Sequence, residues 1–218
     1  MMLFAISDIH GATKPIDESA PLIRKADWVV IAGDITRTKT RAEAADVIAR
    51  VEQYSTRILA VHGNWDRVEV RDYLEERGYS LHGKGRILDG IGFFGVGGSS
   101  PTPLNTATEY TEEEIALALQ TGYGQVHEAP QVVLISHAPP RGIRDRSFLG
   151  LRGGSDSVKA FLEEHPVSLC LCGHIHEAAG IERFQSTLVA NSGSFKKGRY
   201  LSIDIDSDIV ATAGRVDY

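Results

Sequence analysis

Short apolar runs, rich in Val and Ile, keep stopping at polar or glycine-containing clusters along this chain. Met2–Ile6 stops at Ser7-Asp8-Ile9-His10-Gly11, Trp28–Ala32 at Gly33-Asp34, and Arg57–Val61 at His62-Gly63-Asn64-Trp65-Asp66. Gln131–Ile135 stops at Ser136-His137-Ala138-Pro139-Pro140, and Ser168–Leu171 at Cys172-Gly173-His174-Ile175-His176. Runs of this length without alternation predict strands buried on both faces, as in a parallel sheet with covered sides. Between them, Ala44, Val47, Ile48 and Val51 fall on one face of a helix predicted over 42–54. Thr111 followed by Glu114 reads as a capping box opening a second helix before Ile115–Leu119, and Ser155–Glu164 predicts a third, stopped by Pro166. The first three strand ends recur about every 30 residues, the length of a strand–helix–strand unit. Farther on, Ile181–Phe184, Thr187–Ala190, Tyr200–Asp204 and Ile209–Ala213 predict short strands in antiparallel hairpins. The whole pattern is an α/β protein with a parallel centre and antiparallel additions, expected as one domain over residues 1–218.

Composition narrows the function classes. The chain has 218 residues, 42% apolar and 24% charged, and a formal net charge of −6. An acidic balance argues against a broad basic face for nucleic acid, so no dedicated nucleic-acid-binding surface is expected. No apolar run approaches the roughly 18 residues of a membrane span, and no membrane partner is expected. Met1–Ile6 has no basic segment before its apolar run, which is not the pattern of a secretory leader. Two cysteines, Cys170 and Cys172, cannot build a disulfide framework and are expected as buried thiols. A reducing, cytoplasmic setting is the expectation. The oligomeric state is open, a homo-oligomer included.

In an open parallel sheet the ligand site lies just beyond the carboxyl ends of the strands. Asp8, His10, Asp34, Asn64, Asp66, His137, His174 and His176 all sit there. Taken singly, each has an ordinary explanation: Asp8 or Asp34 as a turn residue, a histidine as a hydrogen-bonded surface side chain. Five strand ends carrying such residues together point instead to a metal site. Oxygen and imidazole donors without thiolate suit Mn, Fe, Zn or Ni better than a structural zinc.

These residues form a known pattern. Asp8-Ile9-His10, Gly33-Asp34, Gly63-Asn64-Trp65-Asp66, His137 and Gly173-His174-Ile175-His176 resemble, in order and spacing, the motifs of the calcineurin-like metallophosphoesterases. The stretches around Gly97–Pro103, His137–Pro140 and Cys172–Glu177 are similar to the prokaryotic subgroup of Icc-related phosphoesterases. The resemblance implies a four-layer α-β-β-α sandwich with two mixed sheets. It implies two divalent metal ions, Mn²⁺ first among the candidates. Asp8, His10, Asp34 and His176 would hold one ion, and Asp34, Asn64, His137 and His174 the other, with Asp34 shared. Phosphoester hydrolysis by a hydroxide activated between the ions would follow, with Asp34, Asn64 and His137 acting through the metals.

One departure matters. Many members carry a histidine, assigned as the general acid, where this chain has Trp65. An indole has no useful proton to give. Phosphodiesters or esters with good leaving groups are therefore the expected substrates. His62 is the nearest candidate to replace the acid, with a packed strand-end residue as its alternative. Trp65 can instead offer a flat wall to a nucleotide-like substrate, or plug the core. Asp66 is expected to orient the loop or a ligand by hydrogen bonds. Arg144, amid Arg141, Arg146 and Arg152, can reach a phosphate or simply stand in a solvated loop. The competing expectation for the chain is a non-catalytic protein-interaction scaffold of the same fold.

Overall fold

A computed structural model describes all 218 residues. In chain order it contains β1 (Met2–Ile6), α1 (Lys14–Glu18), α2 (Ala20–Lys25), β2 (Trp28–Ala32), α3 (Arg41–Glu52), β3 (Ile58–Val61) and α4 (Val68–Glu76). There follow β4 (Gly85–Leu88), β5 (Ile91–Val96), α5 (Glu112–Tyr123), β6 (Gln131–Ser136), α6 (Asp156–Glu164) and β7 (Leu169–Cys172). The chain continues through β8 (Gly180–Phe184), β9 (Thr187–Asn191), β10 (Arg199–Ile205) and β11 (Ile209–Arg215).

The strands form two mixed sheets, ordered β11-β10-β1-β2-β3 and β4-β5-β6-β7-β9-β8. β1, β2 and β3 run parallel, as do β5, β6, β7 and β9. Residue parity then builds three apolar layers. Leu3 and Ala5 point toward the second sheet, against a layer that includes Phe93, Val133, Ile135, Leu169 and Leu171. Phe4 and Ile6 point the other way, onto Ala44, Val47, Ile48 and Val51 of α3 and Val70 and Leu74 of α4. On the far side, Phe94, Leu134 and Cys170 meet Ile115 and Leu119 of α5 and Val158, Phe161 and Leu162 of α6. The result is the four-layer α-β-β-α sandwich.

Local signals in the sequence act as expected at the helix starts. Thr111 accepts from the Glu114 N–H while Glu114 reaches back to the Thr111 N–H, and Ser155 caps α6. The tail differs from plain hairpins. β8–β9 and β10–β11 are antiparallel pairs, yet β9 also pairs in parallel with β7, and β10 lies antiparallel against β1. That last pairing brings residues 199–205 beside the first strand. Cys170 and Cys172 are free and buried. No helix is long and apolar enough to cross a membrane.

Candidate functional site

Both sheets present the carboxyl ends of their parallel strands at one edge, where the turns are unusually tight. Asp8, His10, Asp34 and His174 all adopt left-handed backbone conformations, with φ of 55°, 47°, 52° and 66°. Such positions cost on the order of 1 kcal/mol or more each for residues with a Cβ, and persist only where the surroundings enforce them. Here the turns after β1 and β2 are laced together. The N–H groups of Asp8, His10 and Gly11 donate to the carbonyls of Gly33, Asp34 and Ile35 at 3.0, 2.9 and 2.9 Å.

The side chains converge. Asp34 Oδ2 lies 3.7 Å from His10 Nε2, and its Oδ1 lies 3.4 Å from His137 Nε2 while accepting from the Trp65 N–H at 2.8 Å. Asp34 thus turns one oxygen toward His10 and the other toward His137. Asp8 Oδ1 lies 3.0 Å from His176 Nε2; its Oδ2 accepts from Ser7 Oγ at 2.5 Å and from the His174 N–H at 3.1 Å. Ligand atoms of Asp8, His10 and His176, and again of Asp8, Asp34 and His137, lie within 4.8 Å of one another. Asp8, rather than Asp34, is common to these two groups. Asn64 joins through His137, and the His174 ring stands 5.1 Å from the His137 ring, centroid to centroid.

Two details identify what this arrangement fits. His137 Nδ1 lies 2.7 Å from the Ala32 carbonyl, which can only accept, so the proton of the neutral ring is assigned to Nδ1. Nε2 then turns its lone pair toward Asn64 Oδ1, 2.9 Å away, and toward Asp34 Oδ1. His137 Nε2 thus has two potential metal donors, Asn64 Oδ1 and Asp34 Oδ1, as its neighbours. Similarly, Asp8 Oδ1 is fully buried beside His176 but accepts no hydrogen bond of sound geometry. Both features suit divalent cations. Carboxylate, amide and imidazole donors match Mn, Fe, Zn or Ni.

The electrostatics agree. Burial pushes the Asp34 carboxyl up to about 7; His137 opposes the shift, and Asp8 and Asp66 add to it. Burial also acts on Asp8, but its contacts with His176, the His137 charge and the Ser7 hydroxyl hold it down at about 2. Burial lowers His10 and takes His174 down to about 3, which keeps their lone pairs free at neutral pH.

Supporting residues fix these ligands. Asp66 is fully buried; its Oδ1 accepts from Thr36 N and Oγ1 at 2.9 and 2.7 Å, and its Oδ2 from Ile35 N and Gly63 N at 3.1 and 2.8 Å. It ties the turn after β2 to the turn after β3. Gly63 is required by close approach, because a Cβ there would lie 1.9 Å from Asp34 Oδ1. Gly63→Ala is therefore expected to push Asp34 aside and weaken metal uptake about 10–100-fold, the usual scale for disturbing a ligand's support, read by metal titration.

Some supports left no mark in the apolar pattern. Thr106 Oγ1 accepts from Asn64 Nδ2 at 2.9 Å and so turns the amide oxygen toward His137. Asn191 Nδ2 lies 3.1 Å from both the Gly173 and Ile175 carbonyls, bracing the His174 turn, and Ser192 meets Ser7 at 2.7 Å. Asn191-Ser192-Gly193-Ser194 follows the apolar run of β9, so the rule that located the other loops would have found it. Thr106 lies in a loop with no such signal.

Of three expected contacts, His62 and Arg144 fall elsewhere and Trp65 stays beside the site. His62 is fully buried, its Nε2 3.0 Å from Tyr110 Oη and its ring packed on His82, and burial drives its pKa well below the ordinary value. Sealed and neutral, it does not suit the role of proton donor to a leaving group. Arg144 is turned to β8: one Nη donates to the Ile181 carbonyl at 3.0 Å and Nε lies 3.2 Å from Glu182. It is committed to the fold rather than to the metal cluster. Its neighbours Arg141 and Arg152 pair with Asp156 and Asp145. Trp65 is neither a core plug nor free: it is partly exposed, its Nε1 donates to the Arg37 carbonyl at 2.9 Å, and it borders an open cavity with His10 and His176.

Residues 1–204 match the calcineurin-like phosphoesterase superfamily domain. An uncharacterized protein of Methanocaldococcus jannaschii is 34% identical over 200 residues, covering 88% of this chain and 87% of its own length. A dimetal phosphatase from Danio rerio superposes with a TM-score of 0.69 at 13% identity, covering 100% of this chain and 97% of the other. A structure described as a novel archaeal phosphodiesterase gives 0.53 at 13% identity, covering 98% and 99%. At these identities the two superpositions speak for the fold.

Proposed function

The chain belongs to the calcineurin-like phosphoesterase superfamily, and we propose that residues 1–218 act as one unit that hydrolyses phosphodiesters with two divalent metal ions. The observation that carries this reading is the approach of Asn64 Oδ1 and Asp34 Oδ1 to His137 Nε2, at 2.9 and 3.4 Å. Asp8, His10, Asp34 and His176 would hold one ion, and Asp34, Asn64, His137 and His174 the other. When bound, such a pair acidifies a water and cancels charge on the phosphoryl oxygens.

The chain's own residues supply the rest. The Ala32 carbonyl holds the Nδ1 proton of His137, so that Nε2 stays a donor of electrons. Thr106 does the same for the amide of Asn64. Ser7 and the His174 N–H occupy Asp8 Oδ2 and leave Oδ1 facing the cluster. Imidazole and amide donors add no negative charge, so the pocket remains attractive to a phosphate anion although the protein is acidic overall.

Trp65 supports the preference for diesters. Its only proton is engaged with the Arg37 carbonyl, and general acid help is worth about 10²–10⁴-fold where it exists. Without it, leaving groups that depart unprotonated react best. With Mn²⁺ first, then Fe, Zn or Ni, bis-p-nitrophenyl phosphate is expected to be hydrolysed faster than p-nitrophenyl phosphate. A chelator should abolish both reactions. No hydrolysis of either ester with any of these metals would favour the interaction scaffold. A small, nucleotide-like phosphoester and a cytoplasmic setting fit this reading.

A further inference from the structure

The open cavity beside the metal cluster carries charge that metal binding does not explain. Its volume is about 460 Å³, and His10, His176, Arg37, Trp65, Lys196 and Lys197 are among the residues that line it. No carboxylate lines it. Several basic residues elsewhere on this surface are neutralised, as in Arg41–Glu76, Arg50–Asp17, Arg77–Glu52 and Lys84–Glu75. Arg37, Lys196 and Lys197 enter no ion pair of the fold. A fourth cation, Lys39, lies 3.8 Å from the centre of the Trp65 ring.

These cations are also held in place. The Lys196 N–H donates to the Asp8 carbonyl at 3.1 Å, and the Phe195 N–H to the Ser7 carbonyl at 2.9 Å, with the Phe195 side chain fully buried. The lysine turn is thus fastened to the same turn that carries Asp8 and His10. The Trp65 indole likewise fastens the backbone of Arg37. Unpaired charges on anchored segments, next to a phosphoryl site, form a receptor for a further anion.

This cavity and the absence of an acid at Trp65 explain each other. We propose that the cavity takes a second phosphoryl group, and that the substrates are pyrophosphate-linked esters in which this group is the leaving group. The attacked phosphorus has two bridging oxygens, like that of a diester. A bond forms from a water oxygen to that phosphorus, and the bond from phosphorus to the bridging oxygen breaks. The electron pair leaves on the bridging oxygen as a second phosphate, and the protons of the water pass to the products and solvent. Phosphate departs without prior protonation, and Arg37, Lys196 and Lys197 neutralise the charge that develops on it. The proposal rests on the phosphoesterase reading and narrows it to one class of linkage.

The test compares di(adenosine-5′) diphosphate with bis-p-nitrophenyl phosphate, whose leaving group is similarly acidic but lacks the extra charge. The readout is the ratio of their kcat/KM values in wild type, in Lys196→Gln/Lys197→Gln, and in Lys196→Arg/Lys197→Arg. Both lysines are exposed and unpaired, so the variants should fold. The ratio should fall about 10–100-fold in the glutamine variant, the scale of charged hydrogen bonds, and return in the arginine variant. An unchanged ratio would overturn the proposal. So would wild type that cleaves the nitrophenyl diester but not the dinucleotide, an outcome that leaves the phosphoesterase reading standing. If neither is cleaved with any metal, that reading fails, and calorimetry with adenosine 5′-(α,β-methylene)diphosphate decides the cavity. Binding weakened tenfold or more by the glutamine variant keeps the anion site; equal or absent binding removes it.

Discussion

Asp34→Asn is expected to lower phosphodiester hydrolysis by about 10³-fold or more and, at the same time, to make the metal-free protein more stable. The first effect follows from geometry. Asp34 faces His10 with one oxygen and His137 with the other, and an amide cannot supply two anionic donors to two cations. Several kcal/mol of transition-state charge stabilisation go with the ions. The second effect follows from electrostatics. Burial raises the Asp34 carboxyl to about 7, far above its value in an unfolded chain. A group raised on folding contributes stability that is complete below the unfolded pKa, near 4, and is lost as pH climbs through 7. Metal-free wild type should therefore weaken across that window, by an amount on the order of a few kcal/mol. The isosteric amide should flatten the slope. Asp8, held at about 2, works in the opposite sense and lower on the scale, losing stability as pH falls from about 4 toward 2. Melting curves of chelator-treated protein between pH 4 and 8 check the stability effect, and adding metal checks the loss of the metal-holding carboxylate. Wild type should gain about 2.7 kcal/mol when free metal is a hundredfold above Kd, and Asp34→Asn should gain far less. A variant that is inactive yet no more stable would show that Asp34 is not strained by its neighbours.

Asp66→Ala should be the most damaging single change to folding among the site residues. It strands three backbone N–H groups and the Thr36 hydroxyl in a dry interior. Each unsatisfied group costs about 1–3 kcal/mol, and partial relaxation leaves an expected loss of roughly 4 kcal/mol. For a chain of this size that is about 8–15 °C in Tm. Asp66→Asn, which keeps one acceptor oxygen, should fall between. Metal affinity should drop with stability, because the turns carrying Asp34 and Asn64 are joined through this carboxylate. Thermal melts and metal titration of the three proteins separate the two readouts. Equal melting temperatures would mean that water replaces the carboxylate at no cost.

Much of this site can be read directly from the chain, for a physical reason. Parallel strands are buried on both faces, so they appear as uninterrupted apolar runs, and whatever polar residues follow them must lie at the sheet edge. Asp8, Asp34, Asn64, His137 and His176 were all located in that way. The same logic is silent on which strands share a sheet. β1–β3 and β6–β7 look alike in sequence, and only packing assigns them to opposite layers. β5 escapes the pattern because Gly92 and Gly95 interrupt it. There, Val126 and the Ile135 carbonyl approach so closely that a Cβ would lie 2.8 and 2.7 Å from them. The short helices α1 and α2, one of five residues and the other of six, are too brief to show a face. The cations of the side cavity were invisible for another reason. Arg37 and Lys196 read as ordinary surface residues in the sequence, and their meaning comes from sharing a cavity with His10 and His176, which only three dimensions reveal.

The pairing of β10 with β1 has a consequence for how the protein is made. Phe4 faces Ser202 across that ladder, and the segment leading into β10 donates to the carbonyls of Ser7 and Asp8. On the ribosome, β1 emerges first and must wait for nearly the whole chain before its neighbour on that side is synthesised. Contacts this distant slow the final collapse. The nascent protein should therefore remain metal-poor through translation and capture its ions only when β10 docks. A metal-loading assay on stalled chains ending before and after residue 205 would expose that late step.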